Sequence, residues 1–253
     1  MAKGLLISRL PVRLHELALV SSWIGNAGTA TFRELHHRFV CSSGPIDVQA
    51  SGLMKELLGF LSTLGMLKMT NHRRWEDRSF TYSGGTEDFG LTLLKRINRH
   101  TDVRQRAIYL LHEQLTRRAV QHANTQEVLA LMESNYGSLG FVWNEAKITF
   151  ATKLLADLGL ITYLPPGRIA MSPASQLLLK AIPAGRSALA DLLGFVDRDL
   201  FSVFTSQGNV HEGVARALLR LANQGDLRLS YQSDSRNSLV LAGRRVSILD
   251  RTS

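Results

Sequence analysis

The residues best placed to do chemistry in this chain are its eight histidines, its single cysteine and one basic turn, Asn71-His72-Arg73-Arg74-Trp75-Glu76-Asp77-Arg78. Two histidines bind one metal ion from a helix when they sit at i and i+4, on the same face. His36 and His37 are adjacent, so on a helix they point about 100° apart. His112-Glu113 and His211-Glu212 have no second histidine four residues away. These histidines read as surface or capping residues, and no metal or other cofactor is expected. Cys41, before Ser42-Ser43-Gly44-Pro45, would need a positioned base to act as a nucleophile, and no spacing supplies one. The Gly-x4-Gly-Lys-Ser/Thr run that cradles phosphates is absent. The glycine pairs Gly25 and Gly28, and Gly137 and Gly140, read as helix stops and turns. The chain is therefore not expected to be an enzyme, although a nuclease centre built from scattered carboxylates stays open, since its ligands need not be local.

The basic turn suits a different task. Several guanidinium groups on a hairpin can reach phosphates or enter a minor groove, and a planar tryptophan can lie against the sugar-phosphate surface. The alternative for the same residues is a solvated turn whose tryptophan anchors it to the core. Charge elsewhere agrees with a polyanionic partner. Thirty Lys plus Arg face 21 Asp plus Glu, a net +9. Residues 1–100 hold 13 cations against 8 acids, 101–173 hold 7 against 6, and 174–253 hold 10 against 7, so the excess lies at the two ends.

The elements that must carry these side chains are legible as a repeat. With 253 residues, 45% apolar and 20% charged, the chain has the balance of one that packs a core. Three segments align on a glycine: Leu61-x-x-Leu64-Gly65-x-Leu67-x-Met69, Leu155-x-x-Leu158-Gly159-x-Ile161-x-Tyr163, and Leu221-x-x-Gln224-Gly225-x-Leu227-x-Leu229. In each, a helical period gives way to an alternating one, so the glycine reads as the left-handed residue that closes a helix. Helices are expected over Leu14 to Ile24 and Thr31 to Phe39, the second opening with Thr31 and Glu34 in capping-box spacing. A third, carrying Leu53, Leu57, Leu61 and Leu64, precedes a hairpin of Leu67 and Met69 with Phe80 and Tyr82. The second copy uses Val103 to Val120, Thr125 to Met132 and Asn144 to Leu158, then a hairpin turning at Pro165-Pro166-Gly167. The third has helical material over Leu189 to Phe204, a helix Val210 to Gln224 capped by Asn209, and strands near Leu227 to Tyr231 and Leu239 to Leu241. Thr86 to Arg99 and Ser172 to Ile182 read as linker helices whose apolar residues pack against the units or across a dimer.

Three helices followed by a β-hairpin is the order of the winged helix-turn-helix superfamily, and residues 12–83 resemble it from end to end. The resemblance implies a mainly helical α+β fold of tandem winged-helix units: residues 1–85, a linker helix 86–102, residues 103–172, and a linker helix with a third unit over 173–253. It implies recognition helices that read bases with the face opposite the core. That face would carry Gln49, Ser51 and Lys55 in the first unit. The second offers Asn144, Lys147, Thr149 and Lys153, and the third His211, Glu212, Arg216 and Arg220. The hairpins add His72, Arg73, Arg74, Trp75 and Arg78, then Arg168, then Arg236. For each helix a merely solvated polar face fits equally.

Double-stranded DNA is the expected partner. RNA-binding folds display aromatic platforms that 7% aromatics do not suggest, and no helix masses cations as a membrane-surface helix does. A lone cysteine makes no internal disulfide, and neither a secretory signal nor a membrane span is seen. The expected location is the cytoplasm, in a bacterium the cytosol or nucleoid. By analogy the parts suit a transcriptional regulator or a replication initiator of plasmid or phage type. The rival is a scaffold subunit of a chromosome-organising or anti-plasmid defence complex, whose winged helices bind protein partners or a second copy of the chain.

Overall fold

The computed structural model describes residues 13–40, 51–103, 105–137, 142–164, 167–233 and 237–251. Among them the chain is α+β, with ten α-helices and four small antiparallel sheets. It divides into two compact units, Met1–Gln105 and Arg106–Ser253. No described helix is long and apolar enough to cross a membrane.

The first unit runs α1 (Leu14–Ala27), β1 (Ala30–Thr31), α2 (Phe32–Val40), α3 (Gly52–Thr63), β2 (Leu67–Met69), β3 (Ser79–Tyr82) and α4 (Phe89–Arg99). Spacings of three and four put Leu17, Val20, Ser21 and Ile24 on one buried face of α1. Helix α2 starts where Thr31 and Glu34 satisfy each other. The Thr31 amide donates to Glu34 Oε2 at 2.7 Å, and the Glu34 amide donates to Thr31 Oγ1 at 3.2 Å. Helix α3 buries Met54, Leu57, Leu58, Phe60 and Leu61 and stops at Gly65, whose φ of +68° favours a residue without a Cβ. The next amide, Met66, donates back to the Leu61 carbonyl at 2.8 Å, the Schellman closure. Strand β3 lies between β1 and β2, pairing Phe80 with Ala30 and Tyr82 with Leu67.

The second unit contains two runs. One is α5 (Ala107–Arg117), β4 (His122–Asn124), α6 (Thr125–Tyr136), α7 (Glu145–Asp157), β5 (Thr162–Leu164) and β6 (Arg168–Ala170). The other is α8 (Ser175–Ala181), β7 (Gly185–Ala188), α9 (Leu189–Asp199), α10 (Glu212–Gln224), β8 (Leu227–Ser230), β9 (Leu239–Leu241), β10 (Arg244–Val246) and β11 (Ile248–Arg251). Setting aside the β9–β10 hairpin, each repeats the order helix, short strand, helix, helix, strand, strand. The last strand again sits in the middle, as β4-β6-β5 and β7-β11-β8. The helix stops recur as well: φ is +79° at Gly159 and +86° at Gly225. The Leu160 and Asp226 amides bond back to the Leu155 and Leu221 carbonyls at 2.9 and 3.0 Å.

The last run departs from the sequence reading in three respects. Leu239–Leu241 does not pair with Leu227–Ser230 but with Arg244–Val246, across a two-residue turn of Ala242 and Gly243, both at positive φ. The partner of β8 is β11, which places buried Leu249 opposite Leu229. The N-cap of α10 is His211, not Asn209. Ser175–Ala181, within the expected linker, is the first helix of this run, with Leu177 and Leu178 buried.

A polar junction joins the two runs. Asp197 accepts from the Val203 and Phe204 amides at 2.7 and 3.1 Å and from Arg117 Nη2 at 2.8 Å. Arg117 Nη1 donates to the Phe204 carbonyl at 2.8 Å. Burial holds the His112 imidazole, edge-on to Phe201, well down at about 3, with His211 adding to the effect. Its Nδ1 has no hydrogen-bond partner, so the ring is neutral in the fold.

Candidate nucleic-acid interface

The loop joining β2 to β3 is built around a tryptophan that faces inward. Trp75 stacks on Phe80 at 6.3 Å and meets Phe32 edge-on at 5.8 Å, both of them fully buried. Arg78 covers the outer face of the indole at 4.4 Å. Its Nε donates to the His72 carbonyl at 2.9 Å and its Nη1 contacts Met69 Sδ at 3.5 Å. Thr70 closes the base of the loop, its amide donating to the Ser79 carbonyl and its hydroxyl accepting from the Ser79 amide. Trp75 and Arg78, expected to lie on the nucleic acid, therefore pin the loop to α2 and β3. A large indole against two buried phenylalanines loses too much apolar contact to swing out. That anchoring exposes His72, Arg73 and Arg74 at the tip. Neither Arg73 nor Arg74 makes an ion pair or hydrogen bond among the described residues. Glu76 and Asp77 follow in a 3-10 turn and reduce the local charge.

Helix α3 offers less than expected. Ser51 is 0% exposed, so it cannot read a base. Lys55 is half-buried with its Nζ 5.7 Å from the Phe32 ring centre. Gln49 lies outside the described residues. The exposed face of this helix carries Gly52 and Gly59, where an added Cβ would meet nothing within 4 Å.

In the second run, Asn144 is the N-cap of α7, its side-chain oxygen accepting from the Lys147 amide at 3.0 Å. An asparagine spent on a cap has only its amide NH2 left for a base. Lys147 Nζ donates to the Val142 carbonyl, and desolvation lowers its pKa from the ordinary lysine value. Thr149 and Lys153 are half-buried and Arg168 is exposed at the start of β6. The Pro165-Pro166 turn lies outside the described residues.

In the third run His211 is 1% exposed. Its Nδ1 accepts from the Gly213 amide at 3.1 Å and its Nε2 donates to the Val120 carbonyl at 2.9 Å. With both nitrogens engaged and desolvation lowering its pKa, it is a structural cap and not a base reader. Arg216 pairs with Glu212 one turn earlier, so the expected two-arginine stripe of α10 is half neutralised, leaving Arg220 exposed. Arg236 lies outside the described residues.

Sequence reasoning missed two basic groupings. Across the third run's sheet, Asp250 stands opposite Arg186 on one side and Arg228 on the other, a row that only strand register creates. On α4, Thr92, Lys95, Arg96 and Arg99 occur at i, i+3, i+4 and i+7 and line a cleft of about 830 Å³. That spacing is present in the sequence, in a segment whose local pattern is dominated by Leu91, Leu93 and Leu94. No group of three or more His, Cys, Asp or Glu side chains suited to a metal ion occurs among the described residues. Comparison with protein-family models, curated proteins and solved structures found no match to this chain.

Proposed function

We propose that this protein binds double-stranded DNA without catalysis, through tandem winged-helix units, as a transcriptional regulator or replication-type factor. The observation that carries the reading is the first unit's loop. Its tryptophan and one arginine brace it against the core, and that bracing presents Arg73 and Arg74, unpaired among the described residues, at an exposed tip. Three helices followed by two strands is the winged-helix order, and its recurrence along the chain supports a tandem arrangement. Phosphate neutralisation by the first loop, joined by Arg168 and Arg220, supplies sequence-independent affinity. Base readout falls to few side chains, because Ser51 and His211 are buried and Asn144 and His211 serve as helix caps.

Affinity for a duplex, titrated against salt, tests it. Several phosphate contacts should cost roughly 10³-fold or more between 50 and 200 mM salt. Replacing Arg73 and Arg74 by alanine should weaken binding to all sequences alike and lower the salt slope by about one per lost contact. Unchanged affinity in that variant would overturn the reading.

The scaffold reading is favoured by the last run, where Phe195, Tyr231 and Val240 are 40%, 46% and 54% exposed. Exposed aromatic and branched side chains are more typical of protein contacts than of phosphate contacts. Binding that is absent or flat against salt selects it.

A further inference from the structure

We propose that the outer face of α9 docks on the same face of a second copy of this chain, the two helices running antiparallel about a two-fold axis between Gly194 and Phe195. The inference goes beyond the duplex-binding reading and stands whether or not that reading does.

Helical spacing divides α9 into two faces. Leu189, Leu192, Leu193 and Val196 are buried. Asp191, Gly194, Phe195 and Arg198 stand at i, i+3, i+4 and i+7, a single stripe on the opposite side. There Phe195 is 40% exposed, a large apolar ring where a helix ordinarily carries polar residues. Beside it, Gly194 is the residue that helix interiors tolerate least after proline, and packing within the chain does not account for it. A Cβ added at Gly194 would meet no atom within 4 Å, so alanine would fit and would favour the helix. A protruding ring next to an open hollow is the shape of a knob and a hole. Phe195 cannot fill the hollow of its own helix, because successive residues do not face each other.

The stripe is complementary to itself. In a two-fold contact residue i meets j and j meets i, and an axis between Gly194 and Phe195 lays each phenylalanine over the partner's glycine. The same axis brings Asp191 of each chain to Arg198 of the other. Asp191 makes no ion pair or hydrogen bond among the described residues. Arg198 holds Asp199 through Nε and Nη2 at 2.9 and 2.8 Å, yet its side chain is 73% exposed. A guanidinium has five donors, so Arg198 can bridge its own Asp199 and the partner's Asp191. A parallel pairing would set aspartate against aspartate and arginine against arginine, so charge selects the antiparallel seat. Helix α9 has 11 residues and is about 16 Å long. Its face alone covers less than the roughly 800 Å² per partner of a standard interface, which makes the association a weak one.

Sedimentation velocity of the full chain should show reversible dimerisation with Kd in the range of about 10–100 µM. Gly194→Leu, which fills the hollow, should abolish it. Gly194→Ala should weaken it several-fold while raising the melting temperature of the dilute monomer, because alanine favours the helix. A glycine required by the monomer's own fold would not give that pair of effects. Asp191→Arg and Arg198→Asp, each alone, put like charges at both contacts and should weaken dimerisation about tenfold, with circular dichroism confirming the fold. Mixed in equal amounts, the two charge variants should associate again, since both contacts then join opposite charges. A wild-type chain that stays monomeric to about 500 µM overturns the proposal and leaves this face to a different protein. So does dimerisation undiminished by Gly194→Leu, or a mixture of the charge variants that associates no better than either alone.

Discussion

Arg73, Arg74 and Arg78 differ chiefly in what their guanidinium groups already hold. Arg78 is committed to an indole face and a backbone carbonyl, so Arg78→Ala would loosen the loop as well as remove a charge, and only Arg73 and Arg74 test phosphate contact cleanly. The same reasoning applies to the histidines of the second unit. His112 titrates near 3 in the fold, mainly through desolvation, against about 6.5 in an unfolded chain. Between those values the unfolded state binds a proton that the native state refuses, so stability is lost as pH falls below about 6.5, by up to ~1.4 kcal/mol per pH unit. His211 is shifted the same way. Denaturant unfolding from pH 7 to pH 5 should display this slope, and His112→Phe, which keeps a ring beside Phe201, should reduce it. An unchanged slope would mean that another group carries the pH dependence.

At the level of elements, two joints are specified by few atoms. The β9–β10 turn holds Ala242 at φ +47° and Gly243 at +86°, a shape for which Asn-Gly is the favoured pair and alanine a strained one. Ala242→Asn should therefore stabilise the protein by about 0.5–1 kcal/mol, read as a rise in the denaturant midpoint, and a fall would show that the turn is shaped by something other than its own dihedral preferences. Asp197 binds two amides and Arg117. Replacing it by asparagine keeps the shape and removes the charge, which strengthens such bonds roughly twofold. Asp197→Asn should cost about 2 kcal/mol, and a loss below ~0.5 kcal/mol would show that the junction draws its strength from packing.

For the molecule as a whole, the two runs of Arg106–Ser253 share the Arg117–Asp197 and His211–Val120 bonds, so neither run should be stable alone. A fragment of residues 106–253 should fold and retain the pH-dependent melting set by His112, whereas one ending after Met171 should not melt cooperatively. It would lack α10, which at Gly213 approaches so closely that an added Cβ would strike the Met171 carbonyl. Cooperative melting of the shorter fragment would contradict this dependence.

Local spacing was enough to place the elements whose signals are local. The three glycine stops, the Thr31–Glu34 capping box and the buried face of α7 follow from which residues stand three and four apart, because backbone dihedrals and helical period act over a few residues, whereas Leu53, in the expected apolar row of α3, is 37% exposed. Strand partners in the last run did not follow. Nothing near Leu239 announces that Arg244–Val246 will fold back on it, since alanine is not the residue such a turn favours, and β11 reaches β8 only after the chain has closed. Most of the side-chain roles that changed did so for the same reason. Trp75, Arg78 and His211 looked available in the sequence because their partners Phe32, Met69 and Val120 lie 9 to 91 residues away along the chain, and Val120 offers only its backbone carbonyl. Charge and composition determined that this chain has cations to offer a polyanion. Which of them are free to offer depended on burial and hydrogen bonding, and these are properties of the packed chain.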